Sequence, residues 1–173
     1  MKIVLQTERL RVRHMETGDA AFMLALLNDP SWYRFIGDRG IRTLDGARDY
    51  ILNGPMDSVA RLGFGFDVVE LRETGCPIGV CGLAKRDFLD DVDIGYAFLP
   101  EYGGQGYAIE AARGVLAHAG ELGLKRIVAT VRPDNAASIR LLEKLGLRFE
   151  RTIEVPDPAR VLQLYGVGLG ERT

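Results

Sequence analysis

The chain has 173 residues, 47% of them apolar and 27% charged, with a net charge of −2. That balance predicts one soluble domain, residues 1–173, with a sizeable core. It excludes a broad nucleic-acid footprint, and no apolar run approaches the roughly 18 residues of a membrane span. Neither nucleic acid nor a membrane is therefore an expected partner. A basic-then-apolar leader is also missing from the start, so the expectation is a cytoplasmic protein, monomer or homodimer. Cys76 and Cys81 form no metal-ligand spacing with His14 and His118, so no metal is expected. The two thiols read as small buried hydrophobes.

Leu5 and then Leu10-Arg11-Val12-Arg13 read as a first strand. Thr17-Gly18-Asp19 offers capping oxygens for a helix with Phe22, Met23, Leu26 and Leu27 at helical spacing. Asn28-Asp29-Pro30 stops it. Ser31 to Gly37 is an aromatic-rich connection, read either as a pocket wall through Trp32 and Tyr33 or as a lid over the core. Thr43 caps a second helix through Ala47, Tyr50 and Ile51, which Asn53-Gly54-Pro55 ends. Phe64 to Glu70 and Ile78 to Ala84 are strands around the turn Arg72–Gly75. A polar turn then leads to the strand Val92–Leu99.

That strand runs into Pro100-Glu101-Tyr102-Gly103-Gly104-Gln105-Gly106-Tyr107-Ala108-Ile109-Glu110. Glycines let the backbone approach a ligand, and a helix starting there adds orphan N–H groups and the positive end of its dipole. The expectation is an anion site for phosphate or pyrophosphate; a merely tight strand-to-helix turn is the alternative. The helix Ala108–Leu122 follows, with Ala111, Ala112, Val115, Leu116 and Ala119 on one face and Gly123 as its cap. Ile127–Val131 is a short strand, parallel to its predecessor by the crossover rule. Asn135 caps another helix, with Ile139, Leu142 and Leu145 inward and Gly146 at its end. Leu147–Ile153 and Leu162–Val167 are the last strands, around the loop Pro156-Asp157-Pro158. The order β-α-α-β-β-β-α-β-α-β-β predicts an α/β (α+β) mixed sheet with helices on its faces.

Two nucleotide-binding patterns compete for the glycines. A dinucleotide fingerprint belongs after the first strand of a parallel sheet, and here the glycines follow a mid-chain meander. A P-loop needs Gly-Lys-Ser/Thr, which is missing.

This order, with four segments in register, resembles the GNAT N-acetyltransferase superfamily. Within it the chain is similar to the branch of ribosomal-protein N-terminal acetyltransferases. The segments are Thr7-Glu8-Arg9-Leu10-Arg11-Val12-Arg13; Ile94-Gly95-Tyr96 through Pro100-Glu101-Tyr102; Gly104 to Ala111; and Asn135 to Gly146. The resemblance implies acetyl-CoA as acyl donor and a primary amine as acceptor. Its acyl-CoA loop, Q/R-x-x-G-x-G/A, aligns with Gly103 to Ala108, so Gly103 stands where Gln or Arg is usual. The loop residues Gly103, Gly104, Gly106, Tyr107 and Ala108 are implied to hold the pyrophosphate, and the backbone of Phe98 and Leu99 to pair with the pantetheine arm.

The chemistry is attack of a neutral amine on a thioester. An α-amine, with a pKa of roughly 7.7–8.0, needs less help than a lysine near about 10.4. The oxyanion needs a donor, most simply a backbone N–H of the Val92–Leu99 strand. The leaving thiolate needs a proton. Several GNAT enzymes supply it from a tyrosine on the helix after the fifth strand, where this chain has Leu141 or Leu142. The closer branch points instead to Ser138 as proton donor, with Asn135 orienting the cofactor. Both sit at the start of that helix and also read as a plain cap and a plain first-turn serine. Asp93 is the candidate base or cation site; Tyr96 lines the acceptor channel or the core. Glu110 reads as structural. The acceptor groove is expected from Trp32–Gly37, the loop Asp57–Gly63 and the loop Pro156–Val161, and an acidic groove would suit either a protein N-terminal α-amine or a small-molecule amine. A non-catalytic acyl-CoA sensor is the rival reading.

Overall fold

The computed structural model describes residues 1–156 and 159–170. The chain opens with a hairpin, β1 (Ile3–Gln6) and β2 (Leu10–His14), where the sequence predicts one strand. The turn is made by Thr7, whose N–H donates to the Leu10 carbonyl at 2.9 Å and whose hydroxyl accepts from Leu10 N at 3.1 Å.

α1 (Ala20–Leu27) follows a short turn in which Asp19 accepts from Glu16 N at 2.9 Å and pairs with Arg13 at 2.7 Å. The aromatic run is a helix and not an irregular connection: α2 (Pro30–Phe35) has Pro30 in its first turn and Asp29 accepting from Ser31 N at 2.9 Å. The tripeptide that stops α1 thus starts α2. α3 (Leu44–Ile51) is capped by Thr43, as expected. It does not end at Asn53-Gly54-Pro55. A π-helical turn, Leu52–Met56, widens the ladder around Pro55, which has no N–H to offer, and the chain continues into α4 (Asp57–Leu62). The expected loop Asp57–Gly63 is therefore helix, closed by Gly63 at φ +83°.

β3 (Phe66–Leu71), β4 (Pro77–Ala84) and β5 (Asp93–Phe98) form an antiparallel meander. α5 (Tyr107–Glu121), β6 (Arg126–Val131), α6 (Ala136–Lys144), β7 (Arg148–Val155) and β8 (Arg160–Gly168) complete the chain. The predicted mixed sheet forms, with eight strands in the order β1-β2-β3-β4-β5-β6-β8-β7.

Two apolar layers clothe it. Leu10, Ile94, Ala111, Ile127 and Leu142 join α5 and α6 to one face. Met23, Leu26, Trp32, Ile51 and Val68 join α1, α2 and α3 to the other. Fully buried side chains such as Leu10, Ile127 and Leu142 each stabilise the fold by about 1.5–3 kcal/mol.

The β5–β6 pair is parallel and meets at one register position, Asp93 with Val128. Val128 N donates to Val92 O at 3.0 Å there, and beyond it the strands part. No helix of the described residues is long and apolar enough to cross a membrane.

Candidate active site

The parting of β5 from β6 fixes where a ligand meets backbone. Leu99 N donates to Ile78 O at 2.9 Å, so odd-numbered residues of β5 bond to β4. Beyond the Asp93–Val128 pair, the alternation leaves the peptide groups of Tyr96 and Phe98 facing the gap. Of the two residues expected to pair with a pantetheine arm, Phe98 faces the gap, while the Leu99 amide is already bonded to β4.

The glycine loop lies at the end of the gap. After a turn at Pro100–Tyr102, Gly104 (φ +73°) and Gly106 (φ +81°) take left-handed backbone that side chains disfavour, and α5 begins at Tyr107. Gly103 is different: its φ of −68° is open to any residue, so the unusual glycine there is not a backbone requirement. A hollow of about 270 Å³ lies between this loop and α6. Gly103, Gly104, Gly106, Tyr107 and Ala108 border it on one side, and Arg140 and Lys144 on the other. Backbone N–H groups, a helix N-terminus and two cations suit a pyrophosphate.

The loop is braced from the N-terminal strand pair. Arg9 Nε lies 2.7 Å from Glu110 Oε1, Arg9 Nη1 donates to Gln105 O at 2.9 Å, and the guanidinium covers the Tyr107 ring at 4.3 Å. The Thr7 hydroxyl also donates to Glu110. These bonds hold the Glu110 carboxyl below its usual range against the effect of partial burial. The structural role expected for Glu110 is thus a clasp with Arg9.

A larger cavity, about 400 Å³, is lined by residues from both faces of the sheet. Phe98, Ala108 and Leu141 border it as well as the hollow, so the two share a wall. On the α6 side it is lined by Asn135 and Ser138. Asn135 caps α6, its Oδ1 accepting from Ser138 N at 3.2 Å. The Ser138 hydroxyl is 2.6 Å from the Tyr96 hydroxyl, so Tyr96 reaches across the gap from β5 to α6. Burial pushes the Tyr96 phenol up to about 12, which keeps it a proton donor at neutral pH.

On the opposite face stand Trp32 and Asp93, both lining the cavity. Asp93 is 3% exposed. Arg86 Nε is 3.4 Å from its Oδ2, while its Oδ1 has no hydrogen-bond partner among the described residues. Burial pushes this carboxyl above its ordinary range, and Arg86 pulls it partly back. A buried carboxyl with a raised pKa is a stronger base than a solvated one. Tyr33 is not in the cavity wall: it is exposed, its hydroxyl on Asn28 and its ring under Arg42.

Of the expected groove segments, Trp32, Phe35 and Ile36 line the cavity. α4 does not, and of the third segment Arg160 does; Asp157 and Pro158 lie outside the described residues. Nor is the wall acidic. Arg39, Arg86, Arg132 and Arg160 line it against Asp29 and Asp93. Sequence reasoning missed Arg140 and Lys144, whose i,i+4 spacing on a helix beginning at Asn135 was the available signal. It also missed the Tyr96–Ser138 pair, which is 42 residues apart and has no local signature.

A hollow built for a polyanion, running into a backbone-lined gap that ends between a proton donor and a buried carboxyl, defines a group-transfer enzyme with a long anionic donor. Residues 9–148 match the family model described as the acetyltransferase (GNAT) domain. The chain belongs to this family and is an acetyltransferase. It is 31% identical over 147 residues to the uncharacterized N-acetyltransferase YnaD of Bacillus subtilis, covering 84% of this chain and 83% of that one. A GNAT-family acetyltransferase from Bacillus anthracis superposes with a TM-score of 0.79 at 27% identity, over 97% of this chain and 98% of that one. RimL, a ribosomal L7/L12 alpha-N-protein acetyltransferase solved with coenzyme A, shares the fold with a TM-score of 0.83 at 16% identity, over 96% and 98% of the two chains.

Proposed function

We propose that this chain transfers an acetyl group from acetyl-CoA to a primary α-amine by direct attack in a ternary complex. The observation that carries the reading is the parting of β5 from β6, beside which the anion hollow and the Asp93-lined cavity share the wall Phe98, Ala108 and Leu141. The residues fit the donor. Gly104 and Gly106 leave backbone room, Arg140 and Lys144 add charge, and Tyr96 and Phe98 offer gap-facing peptide groups for an extended arm.

When bound, acetyl-CoA supplies the thioester. The rest is the work of this chain. A gap-facing N–H of β5 stabilises negative charge developing on the acyl oxygen. Asp93, raised by burial, takes a proton from the attacking nitrogen, directly or through a water. Ser138 gives its proton to the departing sulfur and draws one from Tyr96 at 2.6 Å; Tyr96 regains its proton from solvent while Asp93 releases to solvent the one it took. One proton leaves nitrogen and one reaches sulfur. An α-amine suits this site because a carboxyl is a weak base, and an amine near pKa 8 is already partly neutral.

Two acceptors carry such an amine, a protein N-terminus and a small molecule. The arginine-lined wall supports the small molecule. Isothermal titration with acetyl-CoA, paired with transfer assays on N-terminal peptides and small amines, tests the reading. Micromolar binding with turnover is the expected result. Tight binding without turnover on any amine would make the protein an acyl-CoA sensor instead.

A further inference from the structure

The charges around the Asp93 side of the cavity do not match a plain amine. Six charged side chains line the cavity, four of them arginines, in a chain whose net charge is −2. Several are already engaged. Asp29 caps α2. Arg132 is held by Asp134 at 3.2 Å and by the Arg34 carbonyl at 3.0 Å. Arg160 has interactions of its own. That leaves Arg39, which makes no hydrogen bond or ion pair among the described residues. It also leaves Arg86, which meets Asp93 at 3.4 Å and lies over the Phe66 ring at 5.8 Å.

Both cations lie close enough to the Tyr50 hydroxyl to draw it down against its burial. Tyr50 also lines the cavity and stays protonated, so it adds a neutral donor to the wall. Two buried polar atoms complete the set. Trp32 Nε1 is a donor without a partner and Asp93 Oδ1 an acceptor without one, both on cavity-lining residues. Buried polar atoms left unpaired are rare, and here one of each sign falls at the same chamber. Aromatic walls from Phe35, Phe66 and Phe88 surround them.

We propose that the acceptor is a small amine bearing an anionic group beside its nitrogen, an α-amino acid or close analogue. Its nitrogen lies at Asp93 and its anion between Arg39 and Arg86. The proposal rests on the acetyl-transfer reading above. Asp93 alone would recognise any amine. Arg39 and Arg86 favour those that bring an anion, because a carboxylate or phosphonate there gains charge-assisted hydrogen bonds that a plain amine cannot make. A guanidinium pair recognises a carboxylate and a phosphonate alike, so both anions fit.

The experiment compares initial rates, at saturating acetyl-CoA, on free L-amino acids, their C-terminal amides, aminoalkylphosphonates and N-terminal peptides. Isothermal titration of acetyl-CoA is run alongside. The expected result is a kcat/KM about tenfold or more higher for a free acid or phosphonate than for the matching amide. Arg39→Ala should collapse that ratio towards one, and Arg39→Glu should reverse it. Arg39 sits in an exposed loop, so these variants test recognition without touching the core. The free-acid and phosphonate arms tell which anion is preferred within the class. Amides or peptides matching the free acids, with acetyl-CoA bound normally, would overturn this inference and leave the acetyl-transfer reading standing. Loss of acetyl-CoA binding itself would overturn both.

Discussion

Arg9 Nε and Glu110 Oε1 are 2.7 Å apart, so a residue of the first hairpin fastens the first turn of α5. The clasp also holds the Gln105 carbonyl and covers Tyr107, and so fixes the loop on both sides of Gly106. Being partly exposed, it contributes more to loop geometry than to global stability. Arg9→Ala should therefore weaken acetyl-CoA affinity several-fold while the melting temperature barely moves. Titration and a thermal melt on the same sample check this.

Gly106 stands at φ +81°, with room beside it only as far as the Arg9 guanidinium, 3.4 Å from an added Cβ. Gly106→Glu brings backbone strain, bulk and a negative charge to the place assigned to the pyrophosphate. Acetyl-CoA affinity should fall by about tenfold or more. A folded variant with unchanged affinity, judged by circular dichroism and titration, would remove the loop from the donor site.

Ser138 and Tyr96 share one hydrogen bond, and their variants should behave as a unit. Ser138→Ala should lower kcat on the order of a hundredfold with little change in acetyl-CoA affinity. Tyr96→Phe should cost less, and the double variant no more than Ser138→Ala alone. Additive losses in this cycle would mean that the two hydroxyls act independently.

Asp93 makes a pH prediction whose sign is fixed by its raised pKa. The base form appears only as pH rises past that value, so the acid limb of kcat/KM should steepen below it. In Asp93→Asn the limb should keep only the step of the acceptor amine. Stability runs the other way. The folded protein holds this proton more tightly than the unfolded chain. The resulting stabilisation is fully present below the unfolded carboxyl pKa and is lost as pH rises through the folded one. Asp93→Asn should therefore flatten the melting temperature between mildly acidic and neutral pH. pH–rate profiles and melts across that range supply both readouts.

The fold was legible wherever local chemistry decides it. Thr43 and Asn135 cap the helices they were expected to cap, and Gly123 and Gly146 close theirs at positive φ. The meander and the strand–helix–strand unit follow from alternation and the crossover rule. The failures share a cause. Asn53-Gly54-Pro55 carries the strongest local stop signal, yet a π turn absorbs Pro55 and the helix runs on. Asp29-Pro30 signals an end because a proline rarely continues a helix, and it is equally good at starting one. At the site, the glycine loop announced itself, since its residues are contiguous. Tyr96 with Ser138, Asp93 with Arg86, and Arg9 with Glu110 are assembled by the sheet, and no spacing along the chain encodes them.

The single register pair between Asp93 and Val128 has a consequence for how long the protein lasts as well as for what it binds. Beyond that pair the sheet carries two unpaired strand edges in its interior, and such edges are where chains open or associate wrongly. A donor laid along β5 fills one of them and binds only the folded form. At a hundred times its dissociation constant it would add about 2.7 kcal/mol to the unfolding free energy. Thermal melts with and without acetyl-CoA should show that gain, and protease digestion should slow in parallel. Free coenzyme A carries the same arm and pyrophosphate, so donor and product alike would protect the folded chain through the whole catalytic cycle.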